Sequence, residues 1–385
     1  MSQREAPPSH YALYLTAAGG NRQTTPPPSA RIYSIKRGFH LLSIRSIVMR
    51  FGIQISSFKD FPPIDEFLDF VKEAEELGID PITVADAVST SRLHSRDIYV
   101  MLALMARETK TAQLGTSVTN FVTRHIMTSV NAMASVDDVA PGRVMIGFGA
   151  GDTPLYSVGL KHSNLKAMRE GLVAARALLN GEPVEHGGVT ITSNWRKPGL
   201  PIFLAADGPK TLELAGELAD GVILGSGITP EVVEWARGHI AIGAERAGRK
   251  PEDVELWLNA IVHIEEDGAA ARETVRPRLC TRANHNFRLA LNAVPEEHRE
   301  GVERFRANYD EFNIGAGSPN AAGITDYMID RFAVVGSPDE CLERFREIEK
   351  LGARTFIFAM SYTLEARRQI VRFVGEKAIP ELGDK

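Results

Sequence analysis

Two glycine turns and two acids are the residues of this chain best suited to act on a bound ligand. The turns, Ala206-Asp207-Gly208-Pro209 and Gly225-Ser226-Gly227, each follow a short apolar run, and a stretch with helical spacing lies between them. That order predicts a strand over 201–205, a helix over 210–219 and a strand over 221–224, which together form a βαβ unit. Parallel strands joined in this way open their carboxyl ends onto backbone N–H groups, and glycine lets a phosphate come close to them. The turns therefore read as a cradle for a phosphorylated cofactor. A steric reading competes, because α/β turns use glycine for their backbone alone. Asp86 follows the apolar run 82–85, and Asp152 closes the segment Gly147-Phe148-Gly149-Ala150-Gly151-Asp152. The three glycines of that segment leave room for a flat ligand against the backbone. A carboxylate beside such a ligand serves as proton donor or hydrogen-bond partner when burial raises its pKa. Here too a plainer reading stands: Thr153-Pro154 after Asp152 suits a helix start, and Asp86 suits a turn.

Other chemistries find no support. The ten histidines are scattered, and none has a second His or an acid at ligand spacing. Cys280 and Cys341 are far apart and form neither a metal pattern nor a disulfide framework, which fits a reducing cytoplasm. No G-x-S-x-G elbow or Cys-His arrangement is present, so nucleophilic hydrolysis is disfavoured.

The elements that must position these residues alternate with little interruption from Met49 onward. Strands are expected at 51–55, 82–85, 112–115, 144–148, 201–205, 221–224, 254–264 and 355–358. Helices are expected at 64–77, 97–108, 126–139, 165–179, 210–219, 230–247, 338–351 and 364–374, with Gly78 closing the first. Two excursions break the rhythm, a polar one at 182–199 and a mostly helical, charge-rich stretch beginning at 270. Eight strands in alternation predict a (β/α)8 TIM barrel with insertions. A Rossmann sheet is disfavoured because Ile55-Ser56-Ser57-Phe58 stands where G-x-G-x-x-G would follow strand one. In a barrel the active site lies at the carboxyl ends of the strands. That rim holds Ser56 and Ser57, Asp86, Ser117-Val118-Thr119-Asn120 and the segment ending at Asp152.

At 385 residues, 44% hydrophobic and 24% charged, the chain has the balance of a globular protein, and no apolar run is long enough to cross a bilayer. Residues 1–48 differ in kind. They carry six basic residues against the single acid Glu5, a net +5 that leaves −10 on the remainder. Pro7, Pro8 and Pro26-Pro27-Pro28 with no periodicity predict disorder. An organelle leader and an upstream over-read of the start are the other readings, the latter because Met49 directly precedes the first clean strand. The expected organisation is a disordered basic extension over 1–48 and one barrel over 49–385. The acidic body argues against nucleic-acid partners. The expected partners are a small-molecule substrate and a second copy of the chain forming a homo-oligomer, a dimer, with no membrane partner.

Four segments in order resemble the luciferase-like flavin or deazaflavin oxidoreductases, and more closely the branch containing methylenetetrahydromethanopterin reductase. They are MRFGIQ (49–54), LGTSVTNFVTRH (114–125), GRVMIGFGAGD (142–152) and IFLAADGPKTLELAGELADGVILG (202–225), and the resemblance spans 49–375. It implies a cis peptide at Ser117-Val118, forming a bulge against the central ring of the cofactor. It also implies cofactor contacts at Gly149 and Gly151, phosphate loops at Ala206, Asp207, Gly208, Pro209 and at Gly225, Ser226, Gly227, and Asp86 and Asp152 facing cofactor or substrate. The implied cofactor is coenzyme F-420 or FMN. The first passes a hydride to a small organic substrate, and the second, when reduced, supports monooxygenation by molecular oxygen. Similarity to the reductase branch favours F-420, and a non-catalytic flavin-binding protein is the third reading. Relatives that oxidise sugar phosphates carry His beside the strand-two Asp, where this chain has Ala87, which argues against that dehydrogenase. The excursions 182–199 and 270–323 are expected to shape the substrate pocket.

Overall fold

The computed structural model describes residues 49–87, 94–311, 313, 317–359 and 363–383, so the expectations for residues 1–48 fall outside the described residues. Eight parallel strands close into a barrel: β1 (Arg50–Ile55), β2 (Ile82–Val84), β3 (Leu114–Thr116), β4 (Val144–Gly149), β5 (Ile202–Ala205), β6 (Gly221–Leu224), β7 (Glu255–Ile264) and β8 (Thr355–Ala359). Closure is made by β8, which pairs with β7 on one side (Trp257 opposite Thr355) and β1 on the other (Phe51 opposite Phe356). The (β/α)8 expectation holds, and all eight strands lie where the apolar runs placed them to within two residues.

Each strand is followed by a helix whose apolar stripe covers it. In α1 (Ile64–Glu76) the buried residues Phe67, Phe70, Val71 and Ala74 repeat at helical spacing, and Gly78 ends the element in the left-handed conformation at φ 82°. In α2 (Ile98–Glu108) Asp97 caps the N-terminus by accepting from the Tyr99 and Val100 N–H groups. The outer ring continues with α3 (Ile126–Val139), α4 (Leu165–Asn180), α5 (Pro209–Leu218), α6 (Pro230–Arg246), α7 (Pro338–Glu349) and α8 (Leu364–Phe373).

The barrel interior is filled, so the strands form a rigid frame rather than a pore. Met145, Phe203, Ile223, Trp257 and Ile357 pack there, with Val118 and Ala205 against them. Each fully buried large apolar side chain in such a layer contributes about 1.5–3 kcal/mol relative to exposure. Below them Arg50 closes the amino-terminal end, donating to Asp80 at 3.2 Å, Glu255 at 3.1 Å and the Thr355 hydroxyl at 3.1 Å. Trp257 Nε1 donates to the same Glu255 at 2.8 Å.

Two features depart from the expected order. A strand at Ala333–Gly336 extends the sheet by pairing with the carboxyl-terminal half of β7, Ile261 to Ile264. Its four residues continue the apolar run of Phe332, so no break in periodicity marks it. The charge-rich stretch from 270 onward resolves into a long helix, Gly268–Leu289, a short turn and a second helix, Glu296–Ala307. These have a core of their own, formed by Val275, Leu279, Phe287, Val302, Phe305, Met328 and Phe332 with their neighbours.

Candidate functional site

Directly after β3 the Ser117–Val118 peptide is cis, as the resemblance implied. The side chains around it form a directed chain of hydrogen bonds. Arg282, projecting from the helix Gly268–Leu289, donates through one terminal nitrogen to the Asn259 carbonyl and side-chain oxygen, both at 2.6 Å. Guanidinium only donates, so the Asn259 side-chain oxygen must face it and the amide nitrogen must face away. That nitrogen meets Gln54 Oε1 at 3.5 Å, which turns Gln54 Nε2 toward the Ser117 carbonyl at 2.5 Å and hydroxyl at 3.1 Å. At its other end Arg282 reaches the Gly225 carbonyl through Nε at 3.4 Å. Burial pushes the guanidinium down to about 10, opposed by Asp207, so it stays charged at neutral pH.

Gly147 and Gly149 of β4, and Gly151 beyond it, are packed closely against this bulge and its neighbours. A Cβ on Gly147 would stand 2.3 Å from the Thr116 carbonyl oxygen, and one on Gly149 would stand 2.7 Å from a Val118 methyl. Gly151, at φ 92°, has Leu155 where its Cβ would be. At all three positions a side chain would collide with protein atoms, so glycine here has a packing cause of its own beside the expected ligand contact.

The two acids are in different situations. Asp86 is buried, and its carboxylate accepts from Arg124 at 2.6 Å and from the Thr119 hydroxyl at 2.8 Å, while its N–H donates to the Val118 carbonyl at 3.3 Å. Arg124 also pairs with Asp97 at 2.8 Å and lies over the Tyr99 ring at 5.0 Å. Burial works against the Arg124 charge, but Asp86 and Asp97 outweigh it and hold the guanidinium above its usual range. The geometry of Asp86 is that of a clamp on the segment Val118–Arg124. Asp152 is exposed, and its backbone carbonyl accepts from Leu155 and Tyr156 at the start of the short helix Thr153–Tyr156. The helix-start reading of Asp152 thus describes its backbone and leaves its carboxylate facing outward.

Strands β5 and β6 end in the two glycine turns, and the turns are tied together. Asp207 Oδ1 accepts from the Gly225 N–H at 2.7 Å and the Ser226 hydroxyl at 2.9 Å. The N–H groups of Ser226 and Gly227 have no hydrogen-bond partner among the described residues. Gly208 is the N-cap of α5 and offers no side chain, and the Thr229 hydroxyl before α6 turns to Glu231 at 2.6 Å and leaves its helix uncapped. By contrast α2, α3, α4, α7 and α8 all begin with a side-chain cap. The free N–H groups of Ser226 and Gly227 fit a phosphate, whereas in the first turn the Gly208 N–H donates to the Thr211 hydroxyl at 3.2 Å and Pro209 has no N–H to offer. Behind them the fully buried Arg331 donates to the Ser226 carbonyl at 2.8 Å and the Tyr327 hydroxyl at 2.8 Å, stacked among Phe287, Tyr327 and Phe332. Burial pushes Arg331 down and Tyr327 up to about 12.

The two excursions lie differently toward the site. The helix Gly268–Leu289 brings Arg282 to the mouth, and Leu289 lies 3.6 Å from where a Gly208 Cβ would be. The stretch 182–199 instead forms a hairpin, Val184–His186 with Val189–Ile191, along the outside of α3. Lys197 pairs there with Asp137 and Asp138, Trp195 with Asn131, and His186 meets His125 at a ring separation of 5.3 Å. His125 is the N-cap of α3 and adjoins Arg124, so the hairpin approaches the rim from outside the barrel. Sequence reasoning missed Gln54, Asn259, Arg282 and Arg124. A usable signal exists for the first two, each a lone amide inside an apolar strand (RFGIQI and ELWLNAIVHI). Among the described residues no group of His, Cys, Asp or Glu gathers as metal ligands, and no helix is long and apolar enough to cross a membrane.

Comparison with known proteins matches residues 46–355 to the family described as luciferase-like monooxygenase. The chain is 29% identical over 340 residues to the 5,10-methylenetetrahydromethanopterin reductase of Methanolobus tindarius, covering 86% of this chain and 100% of the relative. It is 28% identical over 356 residues to the F420-dependent glucose-6-phosphate dehydrogenase of Microbacterium testaceum, covering 88% and 98%. The solved coenzyme F420-dependent tetrahydromethanopterin reductase of Methanopyrus kandleri superposes with a TM-score of 0.69 at 22% identity, over 87% of this chain and 99% of that one.

Proposed function

The chain belongs to the luciferase-like monooxygenase family, and from that premise we propose that it is an oxidoreductase passing a hydride between coenzyme F-420 and a small organic substrate. The observation that carries this reading is the hydrogen-bond chain from Ser117 through Gln54, Asn259 and Arg282 to Gly225. It ties the bulge after β3 to the turns after β5 and β6, which supports reading them as one site, the ring at one end and the phosphate at the other. Full-length similarity to proteins named as a methylenetetrahydromethanopterin reductase and an F420-dependent dehydrogenase supports the choice of cofactor.

When bound, the deazaflavin supplies a ring carbon that carries the hydride and does not activate oxygen. The protein's share is position and charge. Ser226 and Gly227 would hold the phosphate through their N–H groups. Ser117 and Val118, gripped by Gln54 on one side and Asp86 on the other, would support the ring. Arg282 and the insertion that carries it would help to shield the mouth from water. Asp152, with its carboxylate free of the ion pair that engages Asp86, gives or takes the proton that accompanies the hydride. A second reading, monooxygenation with reduced FMN, is favoured by the description of the family itself.

The test is a fluorescence titration of the purified protein with both cofactors. Binding of F-420 well below the micromolar range with weak FMN binding supports hydride transfer. Tight FMN binding with no change in F-420 fluorescence overturns it in favour of the second reading. Exposed Val100 and Leu104, one turn apart on α2, support a homodimer, which the solution mass checks. The free, buried Cys280 and Cys341 support a cytoplasmic location.

A further inference from the structure

The charge of Asp207 is unusual for a residue at the centre of an anion cradle. Its carboxylate takes up two donors, the Gly225 N–H and the Ser226 hydroxyl, that a phosphate would otherwise use. It also places a negative charge beside the free N–H groups of Ser226 and Gly227. Arg282 stands close by: a Cβ on Gly225 would lie 3.2 Å from Asp207 Oδ1 and 3.4 Å from a terminal nitrogen of Arg282. Arg331 lies behind the second turn and Glu231 beside it, joined through the Tyr327 hydroxyl. Lys210 is exposed to solvent, where its charge is screened, and shares Glu213 with Arg246. The two carboxylates and two guanidiniums that face the turns therefore cancel before any ligand arrives.

At the turns themselves an incoming anion meets N–H dipoles and a charge set that already cancels, so a second negative charge finds no buried cation to answer it. We propose that Asp207 makes this cradle selective for a phosphodiester, which bears one negative charge, against a phosphomonoester, which bears close to two. The inference rests on the reading of the two turns as the phosphate site and names the residue that chooses between its cofactors. In coenzyme F-420 the phosphate links the ring's side chain to a lactyl-glutamate tail and is a diester, whereas in FMN it is a monoester at about −1.5 to −2 at neutral pH. A phosphate held at the Ser226 and Gly227 N–H groups would sit beside the Asp207 carboxylate, and partly screened repulsion of its added charge is expected to weaken FMN binding by about tenfold.

The experiment separates charge from ring by comparing FMN with its phosphate methyl ester, which has the same ring and chain but a monoanionic diester. Dissociation constants come from flavin fluorescence in the full chain and in Asp207→Asn. Asparagine keeps the side-chain oxygen that accepts from Gly225 and Ser226, so the turns stay tied while the charge is removed. Wild-type protein is expected to bind the methyl ester about tenfold more tightly than FMN. Asp207→Asn is expected to bring FMN up about tenfold and to leave the methyl ester within about threefold. Equal affinities in the wild type, or equal changes for both ligands in the variant, overturn the proposal and leave the phosphate reading standing. The wild-type comparison decides the matter even where the variant folds poorly. If neither flavin binds, nor F-420, the reading of the site fails and the proposal with it.

Discussion

Asp86→Asn is the sharpest probe of the difference between a catalytic acid and a clamp. The side chain of Asp86 is 6% exposed and that of Arg124 is 24% exposed, so their 2.6 Å pair is largely shielded from water. Removing one member of a buried pair costs about 3–5 kcal/mol when the other charge is stranded. Arg124 is not stranded, because it keeps Asp97, whose side chain is 48% exposed, and its place over Tyr99. The loss is then one charge-assisted bond, and the asparagine oxygen still accepts from Thr119, so Asp86→Asn is expected to cost about 2 kcal/mol. Arg124→Gln leaves Asp86 buried with the Thr119 hydroxyl as its remaining side-chain donor and is expected to cost more, about 3–4 kcal/mol. Urea denaturation of the wild type, both single variants and the double variant completes a cycle, with a coupling energy near 2 kcal/mol. In the clamp reading Asp86→Asn also keeps the shape of the pH profile for kcat. A coupling below about 0.5 kcal/mol, or lost turnover with unchanged stability, would refute the argument and return Asp86 to the chemistry.

Three further outcomes are expected. Gly147→Ala should destabilise more than Gly149→Ala, because its Cβ meets the Thr116 backbone oxygen at 2.3 Å, whereas at Gly149 it meets a Val118 methyl at 2.7 Å. The second change is expected to cost about 1–3 kcal/mol, and equal unfolding midpoints would contradict the packing account. Burial pushes Cys280 up to about 11 and Cys341 up to about 12, so both thiols should resist iodoacetamide at pH 8 until the chain unfolds. Their raised values also make stability fall as pH rises from about 9, where an unfolded thiol ionises, toward the folded values; rapid labelling of the native protein would exclude this. Asp152→Asn should lower turnover on the order of 100-fold with the melting temperature unchanged, since the side chain is exposed. Undiminished turnover would leave Asp152 as a helix start and nothing more.

Much of the fold was legible because its cause is local. Alternating apolar runs of strand length and helical stripes recur eight times, and the (β/α)8 barrel is the closed solution for that order. The rim could be read off as the residues following each run, which placed Asp86, Ser117, Asp152 and both glycine turns at the carboxyl ends of strands. The strand Ala333–Gly336 was hidden because its pairing with β7 is decided across more than 70 positions of chain.

Roles within the rim were a different matter. A carboxylate's role depends on what faces it, and Asp86 is faced by Arg124, 38 positions away, in a turn that the pairing of β2 with β3 brings alongside. Gly147 and Gly149 read as space for a ligand, and what the sequence did not show is that Thr116 of the neighbouring strand and Val118 after it leave no room for a side chain there. Arg282 lies in a helix whose charge pattern gives no hint of direction, and packing of the insertion core turns it toward Asn259 and Gly225. Composition and periodicity determined which residues line the mouth of the barrel. Tertiary structure decided which are already paired and which stay free, because burial, ion pairing and donor direction arise from contacts between segments distant in sequence.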